Sequence, residues 1–284
     1  MKVHLVDGTY ELFRCFHGAP QAQHGEHEVG GARGLLATLV KLLTTEGATH
    51  VGVAFDSVVA PTLPRHPSAE DLLASQTPLA AQCCRALGLV MWPSGRYQAD
   101  EVVATAAARM AEEPTVEQVV ICATDNDFNQ LVRGDRVVVY DRARQVVTDE
   151  ATVRARFGVA PDQLPDVHAL VGDRSDGLPG VPGWGVRSTA VVLARYGTIE
   201  AIPDDASQWD VDVRGSARLA TALAERRQEA VWCRDLARLR TDLPLRVSAD
   251  DLEWRGAERP AMEALCATLG DDAALARVTR WAGT

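Results

Sequence analysis

Short apolar runs, each closed by an acid, punctuate the first half of the chain. Val3-His4-Leu5-Val6 runs into Asp7, and Val51-Gly52-Val53-Ala54-Phe55 runs into Asp56. Val119-Val120-Ile121-Cys122-Ala123-Thr124 runs into Asp125 and Asp127. Runs of this length, ended by polar residues or glycine, read as buried strands of a parallel sheet. Val90-Met91-Trp92 and Val137-Val138-Val139-Tyr140 are further strand candidates. Between them a helix is expected to start at residues 11–15, and residues 32–43, 79–87 and 99–111 carry helical spacing, with Gly88 closing the 79–87 stretch. Residues 61–78 form a proline-rich interruption. Alternating strands and helices predict an α/β sheet with helices on both faces.

The second half changes character. From Thr152 onward the pattern is mostly helical, broken by Gly-Pro clusters. The cluster at 177–185 separates two helical stretches, and residues 186–196 form a helix with Gly197 just past its end. Residues 217–239 are helical, 243–247 return to extended chain, and 261–269 and 272–281 are expected as terminal helices. No internal repeat or low-complexity segment is present.

The placement of the acids suggests chemistry. Ligands of open parallel sheets bind outside the carboxyl ends of the strands. Three such strands would gather Asp7, Asp56, Asp125 and Asp127, and so many carboxylates stay ionised together only beside a cation. Oxygen-only donors suit Mg²⁺ or Mn²⁺. Each motif also has an ordinary reading. Asp125 and Asp127 share one side of an extended chain, yet Asp125-Asn126-Asp127 equally fits a turn. Asp100 and Glu101 open an Ala-rich helix, where acids favour the dipole, and Gln98 shares a face with Glu101. Asp173 and Asp176 suit a turn with an N-cap. The glycine-rich stretch that follows exposes backbone N–H groups at a helix start, which suits a phosphate; a helix–turn–helix packing element is the alternative.

A net charge of −10 argues against nucleic acid at first sight. Setting aside about eight metal-serving acids leaves roughly −2, so local basic patches remain open to phosphates. The six cysteines are scattered without a CxxC pair, which argues against a disulfide framework, gives no sign of zinc and fits buried thiols in a reducing cytoplasm. No apolar run approaches the roughly 18–20 residues of a membrane span. No signal peptide is expected, and the expected localisation is cytoplasmic.

Taken together, Leu5-Val6-Asp7-Gly8, Ala54-Phe55-Asp56, Tyr97-Gln98-Ala99-Asp100-Glu101, Ala123-Thr124-Asp125-Asn126-Asp127, Gly172-Asp173-Arg174-Ser175-Asp176 and Leu178-Pro179-Gly180-Val181-Pro182-Gly183-Trp184-Gly185 resemble, in order and spacing, the 5′-nuclease superfamily. That family includes the 5′→3′ exonuclease domain of bacterial DNA polymerase I and the flap endonucleases. The resemblance implies an α/β fold with a PIN-like, mostly parallel sheet and a helix-hairpin-helix region. It implies a catalytic region at 1–160, a DNA-binding region at 161–240 and a C-terminal segment at 241–284 that packs back on the catalytic region. The implied activity is hydrolysis of DNA phosphodiesters by a structure-selective 5′ nuclease, through two Mg²⁺ or Mn²⁺ ions. Asp7, Asp56, Asp100, Glu101 and Asp125 would serve one ion, and Asp127, Asp173 and Asp176 the other. Arg14 would lie near the scissile phosphate. Gly180, Gly183, Gly185, Arg187 and Ser188 would hold duplex DNA, with a K⁺ at the hairpin. The implied partner is DNA with a 5′ end, flap or nick, alongside a DNA polymerase or repair protein, with no membrane and a monomer as default.

Two departures stand out. Gln98 replaces an acid usual in the family, which predicts weaker binding of one metal or a shifted metal preference. Residues 58–76, where members carry a basic arch, are short and proline-rich here, with Arg65 and His66 set against Glu70 and Asp71. A more open site with less dependence on threading a 5′ end is expected. The rival readings are a catalytically weak, structure-selective DNA-binding module and a PIN-like ribonuclease.

Overall fold

The computed structural model describes residues 1–18, 20–25, 27–56, 67–93, 95–174 and 176–283. Residues 58–66, about half of the expected short arch and including Arg65 and His66, lie outside them, as does Ser175. The chain forms two compact units, Met1–Ala123 joined by Thr241–Thr284, and Thr124–Arg240.

The first unit runs β1 (Lys2–Asp7), α1 (Gly8–Gly18), a short antiparallel pair β2 (Gln23–His24) and β3 (His27–Glu28), α2 (Gly30–Thr44), β4 (His50–Phe55), α3 (Ala69–Ser75), α4 (Thr77–Ala86), β5 (Val90–Pro93), α5 (Ala99–Glu112) and β6 (Gln118–Cys122). β1 lies between β4 and β6, parallel to both, and β5 pairs parallel to β4. Val3, Leu5, Val53, Phe55 and Ile121 are fully buried. Two-sided burial explains why these strands read as continuous apolar runs. Gly52 has a packing reason as well: a Cβ there would collide with the Trp92 ring. α3 was not anticipated from the proline-rich pattern. A local capping box starts it, with the Ser68 Oγ accepting from Asp71 N at 3.1 Å and Asp71 Oδ2 accepting from Ser68 N at 2.9 Å.

The second unit holds β7 (Val137–Asp141), β8 (Val146–Thr148), α6 (Glu150–Phe157), α7 (Leu164–Val171), α8 (Val186–Tyr196) and α9 (Ser216–Ala237). α9 packs along α7, and the α7–loop–α8 element is the expected helix-hairpin-helix. Two buried charged side chains support it: Asp166 accepts from Ile199 N at 2.9 Å, and Arg234 holds the exposed Glu200 at 2.6 Å. The first unit is completed by α10 (Arg259–Leu269). There Trp254 donates to Leu87 O at 2.8 Å and Arg33 to Leu269 O at 2.7 Å, which ties the C-terminal segment to α2 and α4.

The sheet expectation needs correction. β7 and β8 pair antiparallel, so the strands are mixed and the PIN-like, mostly parallel arrangement does not hold. The reason is the connection. Four residues separate β7 from β8, Asp141 Oδ1 accepts from Ala143 N at 3.0 Å and Arg144 N at 2.9 Å, and Gln145 takes φ 56°. A turn this tight returns the chain antiparallel, whereas a parallel partner needs a crossover of roughly a dozen residues. Residues 243–247 form no strand, and 272–281 hold only a 3₁₀ turn, Leu275–Arg277. All six cysteines are free and buried, and burial pushes the Cys84 thiol up to about 12. Among the described residues no helix is long and apolar enough to cross a membrane.

Candidate active site

In the first unit the predicted acids sit where strands hand over to helices. Asp7 ends β1, is 9% exposed, and accepts from Tyr10 N at 2.9 Å, which satisfies an orphan amide of α1. Gly8 lets α1 start against β4, because a Cβ would come 2.6 Å from the Phe55 ring and 2.8 Å from Ala54 O. Asp56 follows β4. Its N–H donates to Thr9 Oγ1 at 2.9 Å, and its Oδ1 accepts from Ala99 N at 2.6 Å. Thus Thr9 on α1 and the first amide of α5 hold Asp56 from two sides. In the first turn of α5, Asp100 Oδ1 accepts from Glu101 N at 2.6 Å, and Glu101 Oε2 accepts from Gln98 N at 3.1 Å. Gln98 is the N-cap of α5, and the Glu101 carboxylate reaches back to it.

Arg14 is gripped from within α1. Its Nη2 donates to Glu11 Oε2 at 2.6 Å and lies 3.4 Å from Thr38 Oγ1 on α2. The Glu11 side chain is only 3% exposed, against 29% for Arg14. Burial lowers the guanidinium pKa, but the hydrogen bond and charge of Glu11 outweigh it and leave the pKa raised. Glu11 was not singled out by the sequence reading. Its spacing of three residues before Arg14 on a helix was the available signal.

In the second unit Asp125 caps a 3₁₀ turn, Asn126–Leu131, and accepts from Asp127 N at 2.9 Å. The extended-chain geometry expected for this pair is therefore replaced by a turn. Asp125's own carboxylate draws the chain round. Asp173 follows α7. Its N–H donates to Leu178 O at 3.1 Å, and its carbonyl accepts from Leu178 N at 2.7 Å. His168 Nδ1 lies 3.1 Å from Asp173 Oδ2, a contact the sequence reading missed. Asp176 is exposed near the tip of the same loop. Desolvation, and then the charges of Asp173 and Asp125, hold its carboxyl above the usual range. All these donors are carboxylate oxygens, and the like-charge crowding suits a hard cation. Among the described residues no three His, Cys, Asp or Glu side chains already stand as a ligand cage.

The hairpin behind this loop is built on glycines at positive φ. Gly180 has φ 70°, and a Cβ there would stand 2.6 Å from the Val171 carbonyl. Gly183 has φ 87° and faces the Arg218 guanidinium. Trp184 anchors the turn by donating to Leu219 O at 3.1 Å. Gly185 caps α8, where Ser188 Oγ accepts from Gly185 N at 3.1 Å. Arg187 is exposed beside them. Gly183, Gly185, Arg187, Ser188 and Arg214 line an open cavity of about 530 Å³.

Comparison with known proteins adds the family. Residues 2–158 match the 5′-3′ exonuclease N-terminal resolvase-like domain, and residues 159–260 match the 5′-3′ exonuclease C-terminal SAM fold. DNA polymerase I of Bacillus caldotenax is 30% identical over 95% of this chain and 31% of its own length. The chain spans about a third of the length of such relatives. Among solved structures, T5 5′-exonuclease with bound zinc ions has a TM-score of 0.66 at 16% identity, covering 98% of this chain and 96% of its own. The catalytic core of Rad2 in complex with DNA substrate has a TM-score of 0.59 at 14% identity, covering 94% and 86%. These likenesses fix the fold as the mixed-sheet 5′-nuclease type, which completes the correction of the PIN-like expectation.

Proposed function

The chain belongs to the 5′-3′ exonuclease family, and from that premise we propose that it is a divalent-metal-dependent, structure-selective 5′ nuclease that hydrolyses DNA phosphodiesters. The observation that carries this reading is the crowding of Asp176: desolvation first, and then the charges of Asp173 and Asp125, hold its carboxyl above the usual range, a cost that a bound cation would relieve. Two ions, Mg²⁺ or Mn²⁺, would be held, one by Asp7, Asp56, Asp100, Glu101 and Asp125 and the other by Asp127, Asp173 and Asp176. Such a pair, when bound, supplies a water of lowered pKa and stabilises charge on the leaving oxygen.

The chain's own groups do the rest. Thr9 and the α5 N-terminus keep Asp56 in place, and Tyr10 N keeps Asp7. Arg14, steered by Glu11, offers its guanidinium to the scissile phosphate. Gly180, Gly183, Gly185, Arg187 and Ser188 hold the duplex through its phosphates, with a K⁺ at the hairpin, and read no bases. Residues 1–160 would carry catalysis, 161–240 duplex holding, and 241–284 support. A DNA polymerase or repair protein is the partner class such a nuclease serves, and the acting form is a monomer.

The test incubates the full chain with labelled 5′-flap, nicked, single-stranded DNA and matched RNA, in Mg²⁺, Mn²⁺ or EDTA. Metal-dependent DNA cleavage near junctions or from 5′ ends is expected. Tight DNA binding without turnover in either metal favours the binding module instead, and preferential RNA cleavage overturns the DNA assignment.

A further inference from the structure

His168 stands outside every role described so far. It lies in the last turn of α7, five residues before Asp173. Gly172, at φ 90°, turns the chain so that the Asp173 side chain comes back onto the imidazole. The two side chains are 11% and 22% exposed, with Nδ1 and Oδ2 3.1 Å apart. A carboxylate only accepts, so Nδ1 carries the proton. The other ring nitrogen, Nε2, is buried and has no hydrogen-bond partner among the described residues. Among the described residues the ring therefore has one hydrogen-bonded attachment, Asp173.

The Asp173 backbone is held by different means. Its N–H and carbonyl pair with Leu178 at 3.1 and 2.7 Å. Gly172 and Gly180 pack so closely that a Cβ on Gly180 would stand 2.7 Å from Gly172 N. Backbone and carboxylate are thus fixed independently. Loss of the imidazole would remove this hold on the carboxylate and leave the backbone pairing with Leu178 in place.

We propose that His168 is a positioning residue for Asp173, its Nδ1–H holding the carboxylate in the orientation in which it ligates a divalent cation. This rests on the nuclease reading, which makes Asp173 a ligand. Hydrogen-bond partners of ligating groups commonly control affinity by about 10–100-fold. Asn at 168 places its amide nitrogen near the position of Nδ1, whereas Gln extends the amide toward the position of Nε2.

The experiment strips the full chain with EDTA and titrates Mn²⁺, reading free ion by electron paramagnetic resonance. Wild type, His168→Leu, His168→Gln, His168→Asn and Asp173→Asn are compared, with the unfolding midpoint of each metal-free protein measured in parallel. His168→Leu and His168→Gln are expected to weaken one Mn²⁺ site by about 10–100-fold. His168→Asn should stay near wild type, with little change in any midpoint. Unaltered Mn²⁺ affinity in His168→Leu overturns the proposal, as does a loss in all three His168 variants that tracks their unfolding midpoints. If Asp173→Asn binds Mn²⁺ like wild type, Asp173 is not a ligand and the proposal falls alone. If wild type binds no Mn²⁺, the nuclease reading fails and takes this proposal with it.

Discussion

Replacing Gly180 by alanine tests whether the loop that carries Asp173 and Asp176 is held by backbone packing. Gly180 has φ 70°, and the added Cβ would stand 2.6 Å from both the carbonyl carbon and the oxygen of Val171. Two costs follow. The left-handed conformation costs a non-glycine residue about 1–2 kcal/mol. Forcing backbone atoms apart in a packed site costs about 1–3 kcal/mol. Together Gly180→Ala should destabilise the metal-free chain by roughly 2–5 kcal/mol. Asparagine tolerates positive φ, so Gly180→Asn should keep only the second cost, about 1–3 kcal/mol. Urea unfolding of the metal-free proteins, followed by tryptophan fluorescence, gives both numbers because Trp184 is buried in the same hairpin. Equal losses in both variants would assign the whole cost to the contact. Losses below about 0.5 kcal/mol in both, the level of an ordinary surface change, would refute the packing argument.

Three further outcomes are expected. Asp176→Asn should stabilise the metal-free chain at neutral pH. A carboxyl whose folded pKa is raised supports folding fully below its ordinary range, and this support is lost as pH rises through the raised value. The neutral amide never incurs the loss. Because Asp176 is exposed, the gain should stay below about 1 kcal/mol, and thermal melts should show it vanishing as the pH is lowered into the range where Asp176 itself protonates. Glu11→Leu should cost about 1.5–3 kcal/mol in chemical denaturation, the worth of a hydrogen bond to a charged group, and Glu11→Gln should cost less. Mg²⁺ added to wild type should raise the melting midpoint in proportion to the logarithm of its concentration, and the rise should be smaller in Asp125→Ala.

Much of the first unit was legible because its strands are buried on both faces. The runs ending at Asp7, Asp56 and Asp125 are β1, β4 and β6, give or take a residue or two. α8 spans the expected 186–196, since Gly197 ends it at φ 84°. What failed depends on local geometry that periodicity does not encode. The strand direction of β8 is set by the tight turn at 142–145, and Val146 and Val147 are about half exposed, so the run carries no burial signature. Asp127 left the extended path because Asp125 bonds its amide. The 272–281 stretch has helical spacing yet closes only one 3₁₀ turn.

The same limit applies to the site. Acids at strand ends were readable from sequence position alone. Glu11 was not, because a charged residue 2% exposed is read as buried only when its partner Arg14 is known to lie on the same helix face. Nor was His168, whose approach to Asp173 depends on the positive φ of Gly172.

If Asp7 and Asp125 each serve the proposed metal-dependent phosphodiester hydrolysis, neither can be lost without losing cleavage. The most direct measurement is the initial rate of cleavage of a labelled 5′-flap DNA in Mg²⁺ by wild type, Asp7→Ala and Asp125→Ala, with folding of each verified by circular dichroism. Cleavage by wild type that EDTA abolishes is expected, with near-complete loss in both folded variants. Cleavage that survives either substitution, or that persists in EDTA, would contradict that reading.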